Sequence, residues 1–93
     1  MELSQLTVFT AVAKHRSFSE AARRLYISHS SASRAVSALE KELGVRLVER
    51  DNHVTSLTAA GQVLLEEAEK LLEAAELAAE KVKSAASVDR ETL

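Results

Sequence analysis

The residues best placed to do chemistry lie between Ser17 and Gly44, in SFSEAARRLYISHSSASRAVSALEKELG. At helical spacing, His29, Ser30, Ser33, Arg34 and Ser37 gather on one side, with Lys41 below them and Ser28, a further candidate contact, just before the first turn. Ala32, Val36, Leu39 and Leu43 follow steps of four, three and four on the other side, which is one buried stripe. Carboxylates enter only with Glu40 and Glu42, in the last turns. Hydroxyls donate and accept, and a guanidinium offers a rigid fork of N–H donors. Such a face can lie against a polyanion and still present side chains to base edges. Serine is only a middling helix former, so Ser30, Ser33 and Ser37 are a poor choice for stability alone.

Other chemistries find little support. His15, His29 and His53 lack metal-ligand spacing, and no cysteine is present to assist. There is no Gly-rich phosphate loop and no carboxylate pair in an apolar setting. The reading is therefore of a chain that is not an enzyme and uses no metal or cofactor. Periodicity alone also fits two packed amphipathic helices with a solvated serine face. A helical protein-protein interaction module without DNA binding thus remains the alternative.

Positioning that face requires defined helix ends. Ser28 is the expected N-cap of the longer helix, and Gly44 suits the left-handed position just past its end. The shorter helix before it starts at Ser17, which has capping-box spacing to Glu20, or at Ser19. Ala21 and Ala22 allow a close crossing, Leu25 and Ile27 anchor the turn, and Tyr26 occupies it. A first helix is expected from about Ser4 to Lys14 with Leu6, Phe9, Val12 and Ala13 inward, and Phe9 and Phe18 are assigned to the core. Between Val45 and Leu57 the period changes. Leu47-Val48 and Val54–Leu57 flank Arg50-Asp51-Asn52-His53, which reads as a short hairpin. Arg50 at its base fits a phosphate better than a base, because a guanidinium fork matches phosphate oxygens.

From Thr58 a long helix is expected to about residue 87, with a disordered tail over 88–93. Leu64, Ala68, Leu71, Ala75, Ala78 and Val82 follow a heptad seam, and Leu72 stands in a second row beside it. The helix is too long for so small a domain to cover, so the seam is read as a homodimer contact.

Taken together, these residues resemble the DNA-binding domain of LysR-type transcriptional regulators. The resemblance rests on Leu6 with Phe9, SFSEAARRL, Ile27-Ser28, Ser33-Arg34, Leu39-Glu40, Leu43-Gly44, Leu47, Glu49-Arg50, and Leu57-Thr58 with Ala60-Gly61. It implies a mainly α fold: a winged helix-turn-helix over 1–57, with three helices and a hairpin wing, then a linker helix over 58–87. It also implies that His29, Ser30, Ser33 and Arg34 face base pairs, that Arg50 sits at the wing base, and that His53 lies at the wing tip. The implied partners are double-stranded DNA and a second copy, paired antiparallel through the linker helix over an interrupted palindrome. An effector-binding domain, which the family carries after that helix, is not expected within these residues. The chain departs from the family in having His29 for glutamine, Ser30 for proline, Ala32 for a larger aliphatic residue, and Asp51-Asn52-His53 for a Gly/Arg-rich tip. Those changes bear on base preference and on the wing's contribution, not on the fold.

Charge divides unevenly along the chain. The net charge of −2 conceals eight Lys/Arg against six acids over residues 1–57 and four against eight over 58–93. The N-terminal part is thus mildly basic, which predicts modest nonspecific affinity. Absence of cysteine fits a reducing cytoplasm, and no apolar run reaches the roughly 20 residues that span a bilayer, so no membrane contact is expected.

Overall fold

Apolar spacing and end signals divide the chain into four helices and one hairpin. The computed structural model describes the backbone of residues 1–51 and 54–92 and the side chains of 1–51 and 55–87. Helix α1 spans Leu3–His15, α2 Phe18–Leu25 and α3 His29–Leu43; strands β1 (Val48–Asp51) and β2 (Val54–Leu57) follow, then α4 (Ala59–Thr92). The expected mainly α winged helix-turn-helix is what forms. Val48 pairs with Leu57, Glu49 with Ser56, Arg50 with Thr55 and Asp51 with Val54 in an antiparallel register.

The caps act locally. Ser17 Oγ accepts from Glu20 N–H at 3.1 Å and Ser28 Oγ from Ser31 N–H at 3.0 Å. Only half of the expected capping box at Ser17 forms, because the Glu20 carboxylate turns to Arg23 and Arg24 instead. Those two guanidinium partners hold the Glu20 carboxyl down at about 2. Left-handed residues end the first three helices: Arg16 (φ 51°), Tyr26 (φ 57°) and Gly44 (φ 68°). Tyr26 takes a conformation that glycine would adopt without steric cost, while its ring stays almost fully exposed.

Leu6, Phe9 and Val12 of α1, Ala21 and Ala22 of α2, and Ala32, Val36 and Leu39 of α3 form the centre of the core. Alanine at three of these positions brings the helix axes close. Burial of a side chain the size of Phe9 or Leu39 contributes roughly 1.5–3 kcal/mol. Leu47 and Val48 join from the strand side, and Leu64 and Ala68 from α4. Two expectations change here. Leu43 is 42% exposed, since the last turn of α3 runs past the elements that would cover it. Ala13 is only partly covered, and Thr10 is buried on α1.

Glu40 and Thr58 join the elements. Glu40 Oε2 accepts from Leu47 N–H at 2.8 Å, so an α3 carboxylate caps the start of the strand segment. Thr58 Oγ1 donates to Arg46 O at 2.6 Å and accepts from Gly61 N–H at 3.0 Å, capping α4 as expected and pinning it to the chain before β1.

The α4 backbone is helical through Thr92, beyond the boundary at 87 and into the stretch expected to be a disordered tail. After Gly61 no glycine or proline interrupts the hydrogen-bond ladder. At 1.5 Å per residue α4 measures about 50 Å, which explains a longest molecular dimension of 61 Å against 25 and 19 Å. Among the described residues, no helix is long and apolar enough to cross a membrane.

Candidate nucleic-acid interface

The first turns of α3 carry a chain of hydroxyls built on its own cap. Ser28 Oγ lies 3.1 Å from Ser30 Oγ and donates to Ser31 Oγ at 2.9 Å. Arg34 Nη2 reaches the same Ser31 Oγ at 3.4 Å, a weak contact that leaves the guanidinium free to move. His29, Ser30, Arg34 and Ser37 are exposed, whereas Ser33 is half-buried. These groups share a side of α3 because Ala32, Val36 and Leu39 are committed to the core on the other.

The hairpin brings Arg50 to this side. Arg50 Nη2 donates to Ser33 Oγ at 3.2 Å, and its guanidinium carbon lies 3.8 Å from the centroid of the Phe18 ring. The His29 ring stands 6.1 Å from the same ring, tilted by 45°. Ser17, Phe18, Ser19, His29, Arg50 and Thr55 line a shallow cleft between the start of α2, the start of α3 and the hairpin. A second cleft beside it runs between Ser33, Ser37, Glu40, Arg46 and Arg50.

Electrostatics sort the basic residues. Arg23 and Arg24 are engaged by Glu20 and Arg46 by Glu40. Among the described residues, neither Arg34 nor Arg50 is in an ion pair, so their charge faces outward without local compensation. Glu40 does border the second cleft, closer to the polar side than its place in the sequence suggested. Its Oε2 faces Arg46 Nε at 3.6 Å and accepts from the Leu47 and Val48 amides.

Of the sequence candidates, Ser28, His29, Ser30, Ser33, Arg34, Ser37 and Arg50 thus come together on one surface; His53 lies outside the described residues. Sequence reasoning missed Ser19, Ser31 and Thr55 as neighbours of this surface, and read Ser17 only as a cap. The strand register that sets Thr55 opposite Arg50 is the one signal that points to it. Nothing local links Ser17 to Arg50, because tertiary packing alone brings them together.

The seam residues of α4 divide in two. Leu64 and Ala68 are buried against their own domain and so are not available to a partner, which corrects their assignment to a dimer contact. The reason is geometric: the first turns of α4 lie across α1 and complete the core. Leu72 is partly spent there too. Leu71 (42% exposed), Ala78 and Val82 (69% exposed) remain open, and Ala75 is half-buried.

A three-helix unit with a hairpin packed beside the polar face of its third helix is a winged helix-turn-helix domain. Residues 3–62 match the profile of the bacterial regulatory helix-turn-helix proteins of the lysR family, and the chain belongs to that family. Among its relatives, the transcriptional regulator ClcR of Pseudomonas putida is 47% identical over 77 residues, covering 83% of this chain and 26% of ClcR. TfdT of Cupriavidus pinatubonensis is 44% identical over 72 residues, 77% of this chain and 32% of TfdT. The chain therefore spans about a quarter to a third of the length of these relatives. Crystal structures of a CbnR DBD–DNA complex and a BenM DBD/catB site 1 DNA complex superpose with TM-scores of 0.89 and 0.90, at 42% and 37% identity. The coverage is 92% of this chain and 99% of the CbnR chain, and 94% and 97% for BenM.

Proposed function

We propose that this chain binds double-stranded DNA sequence-specifically, as a homodimer held by α4, and that it regulates transcription. One observation carries the reading above others. The N-terminal half of α3 turns a carboxylate-free ridge of hydroxyls and Arg34 outward, beside an Arg50 without an ion-pair partner among the described residues. A ridge about one helix wide, with donors along it, suits a major groove, while the hairpin beside it meets the flanking phosphates. Relatives of the same fold are crystallised with DNA, which supports the same partner here.

Selection from a random duplex pool tests this directly. The expected result is an enriched interrupted palindrome, bound with an affinity that falls with salt at a log–log slope of about −0.9 per neutralised phosphate. No enrichment, with affinity for a partner helix nearly insensitive to salt, would favour the protein-interaction reading instead.

Arg34 is the assigned base reader, with Ser33 and His29 beside it. Arg34→Ala is expected to cost roughly 1–3 kcal/mol and to relax preference at one base pair. Binding measured on single-base variants of the selected site decides the role. Equal weakening on every duplex would make Arg34 a phosphate contact.

A further inference from the structure

We propose that Phe18 is a positioning residue, whose ring is the platform that holds the Arg50 guanidinium in register with Ser33 and thereby joins wing to recognition helix. The proposal rests on the DNA-binding reading above and extends it to a residue whose sequence pattern marks it only as core. Phe18 is 4% exposed, so it does fill the core. A leucine would nearly fill the same space. Only an aromatic ring also offers a negative face to a cation, and the Arg50 guanidinium sits 3.8 Å from its centroid.

Two consequences follow from that contact. Arginine carries several rotatable bonds, and confining them when a phosphate arrives would cost affinity. Stacked on Phe18 and donating to Ser33 Oγ at 3.2 Å, Arg50 is ordered before DNA binds. The second concerns Ser33. Accepting from Arg50 at 3.2 Å leaves the Ser33 hydroxyl its own proton, which it can donate to an acceptor on a base edge. Phe18 belongs to α2, Ser33 to α3 and Arg50 to β1, so one ring ties three elements to a common geometry.

A double-mutant cycle on the 93-residue chain tests the role, using a duplex recovered by selection and a range of salt concentrations. Phe18→Leu is expected to weaken binding roughly three- to tenfold. It should have no further effect once Arg50→Ala is present. Arg50→Lys should keep the salt slope yet bind less tightly, because lysine has no planar fork to stack. An equal loss from Phe18→Leu in both backgrounds would reduce Phe18 to a core filler and overturn the proposal. Wild-type affinity in Arg50→Ala would overturn it too, while leaving DNA binding by α3 intact.

Should the wild-type chain select no duplex, the functional reading fails, and the platform is judged in the free protein. There the Arg50 Nε–H resonance is expected upfield, under the ring current of Phe18, and at the ordinary arginine position in Phe18→Leu. The same ordinary position in the wild type would overturn the platform. That spectrum and Arg50→Lys leave the core untouched, so they decide the matter even if Phe18→Leu does not fold.

Discussion

Leu71→Glu is expected to convert the proposed dimer to folded monomers and to weaken binding to a two-half-site duplex by roughly 10²- to 10⁴-fold, the range associated with losing a linked second contact. Leu71 is 42% exposed on the outward side of α4, so a carboxylate there stays hydrated in the monomer and disturbs little of the core. In the proposed dimer each substitution places a charge in an apolar seam, where it would be desolvated without a partner. Sedimentation should report half the wild-type mass, with the helical circular dichroism of α1 to α3 retained. Leu64→Glu makes the contrast, because Leu64 is buried in its own domain and its substitution should unfold the protomer. A Leu71→Glu variant that still sediments as a dimer would remove α4 from the interface.

Gly61→Ala should be the most destabilising single-methyl change in the chain. A Cβ at Gly61 would stand 2.0 Å from Leu47 O and 3.3 Å from a Leu57 methyl. The atom it meets is backbone, and that same carbonyl accepts from Thr58 N–H at 3.0 Å, so it cannot rotate away. Relief requires the start of α4 to lift from the strand segment, breaking the Thr58 cap and the fit of Leu64. We expect a loss of roughly 3 kcal/mol or more, above the usual overpacking range because no side chain can yield. For a domain of this size that lowers Tm by on the order of 10–20 °C. Thermal melts of Gly61→Ala beside Gly44→Ala separate two causes. At Gly44 a Cβ meets nothing within 4 Å, and only its φ of 68° opposes the change. Equal melting shifts for the two variants would refute the close-approach argument.

The ends of α3, the start of α4 and the outward face of α3 were legible from residue type and order alone, because caps and amphipathic stripes are short-range features. Ser28, Gly44 and Thr58 hold the ends assigned to them, and the hydroxyl ridge with Arg34 lies where its spacing placed it. The family was legible as well, from the order of several short motifs matched over residues 3–62. The heptad pattern of α4 was equally plain, but its meaning was not. Leu64 and Leu71 are one heptad apart, yet the first is buried at home and the second is open.

What the sequence determined by itself is therefore the set of helices, their caps and the chemistry of the face they present. Only the tertiary structure decided which apolar residues the domain consumes, why Gly61 tolerates no side chain, and how Phe18, Ser33 and Arg50 meet. The physical reason is range. Hydrogen-bond caps and helical periodicity act over three or four residues, whereas the 17 residues from Ser33 to Arg50 are closed only by packing. No local pattern records where such a loop comes to rest.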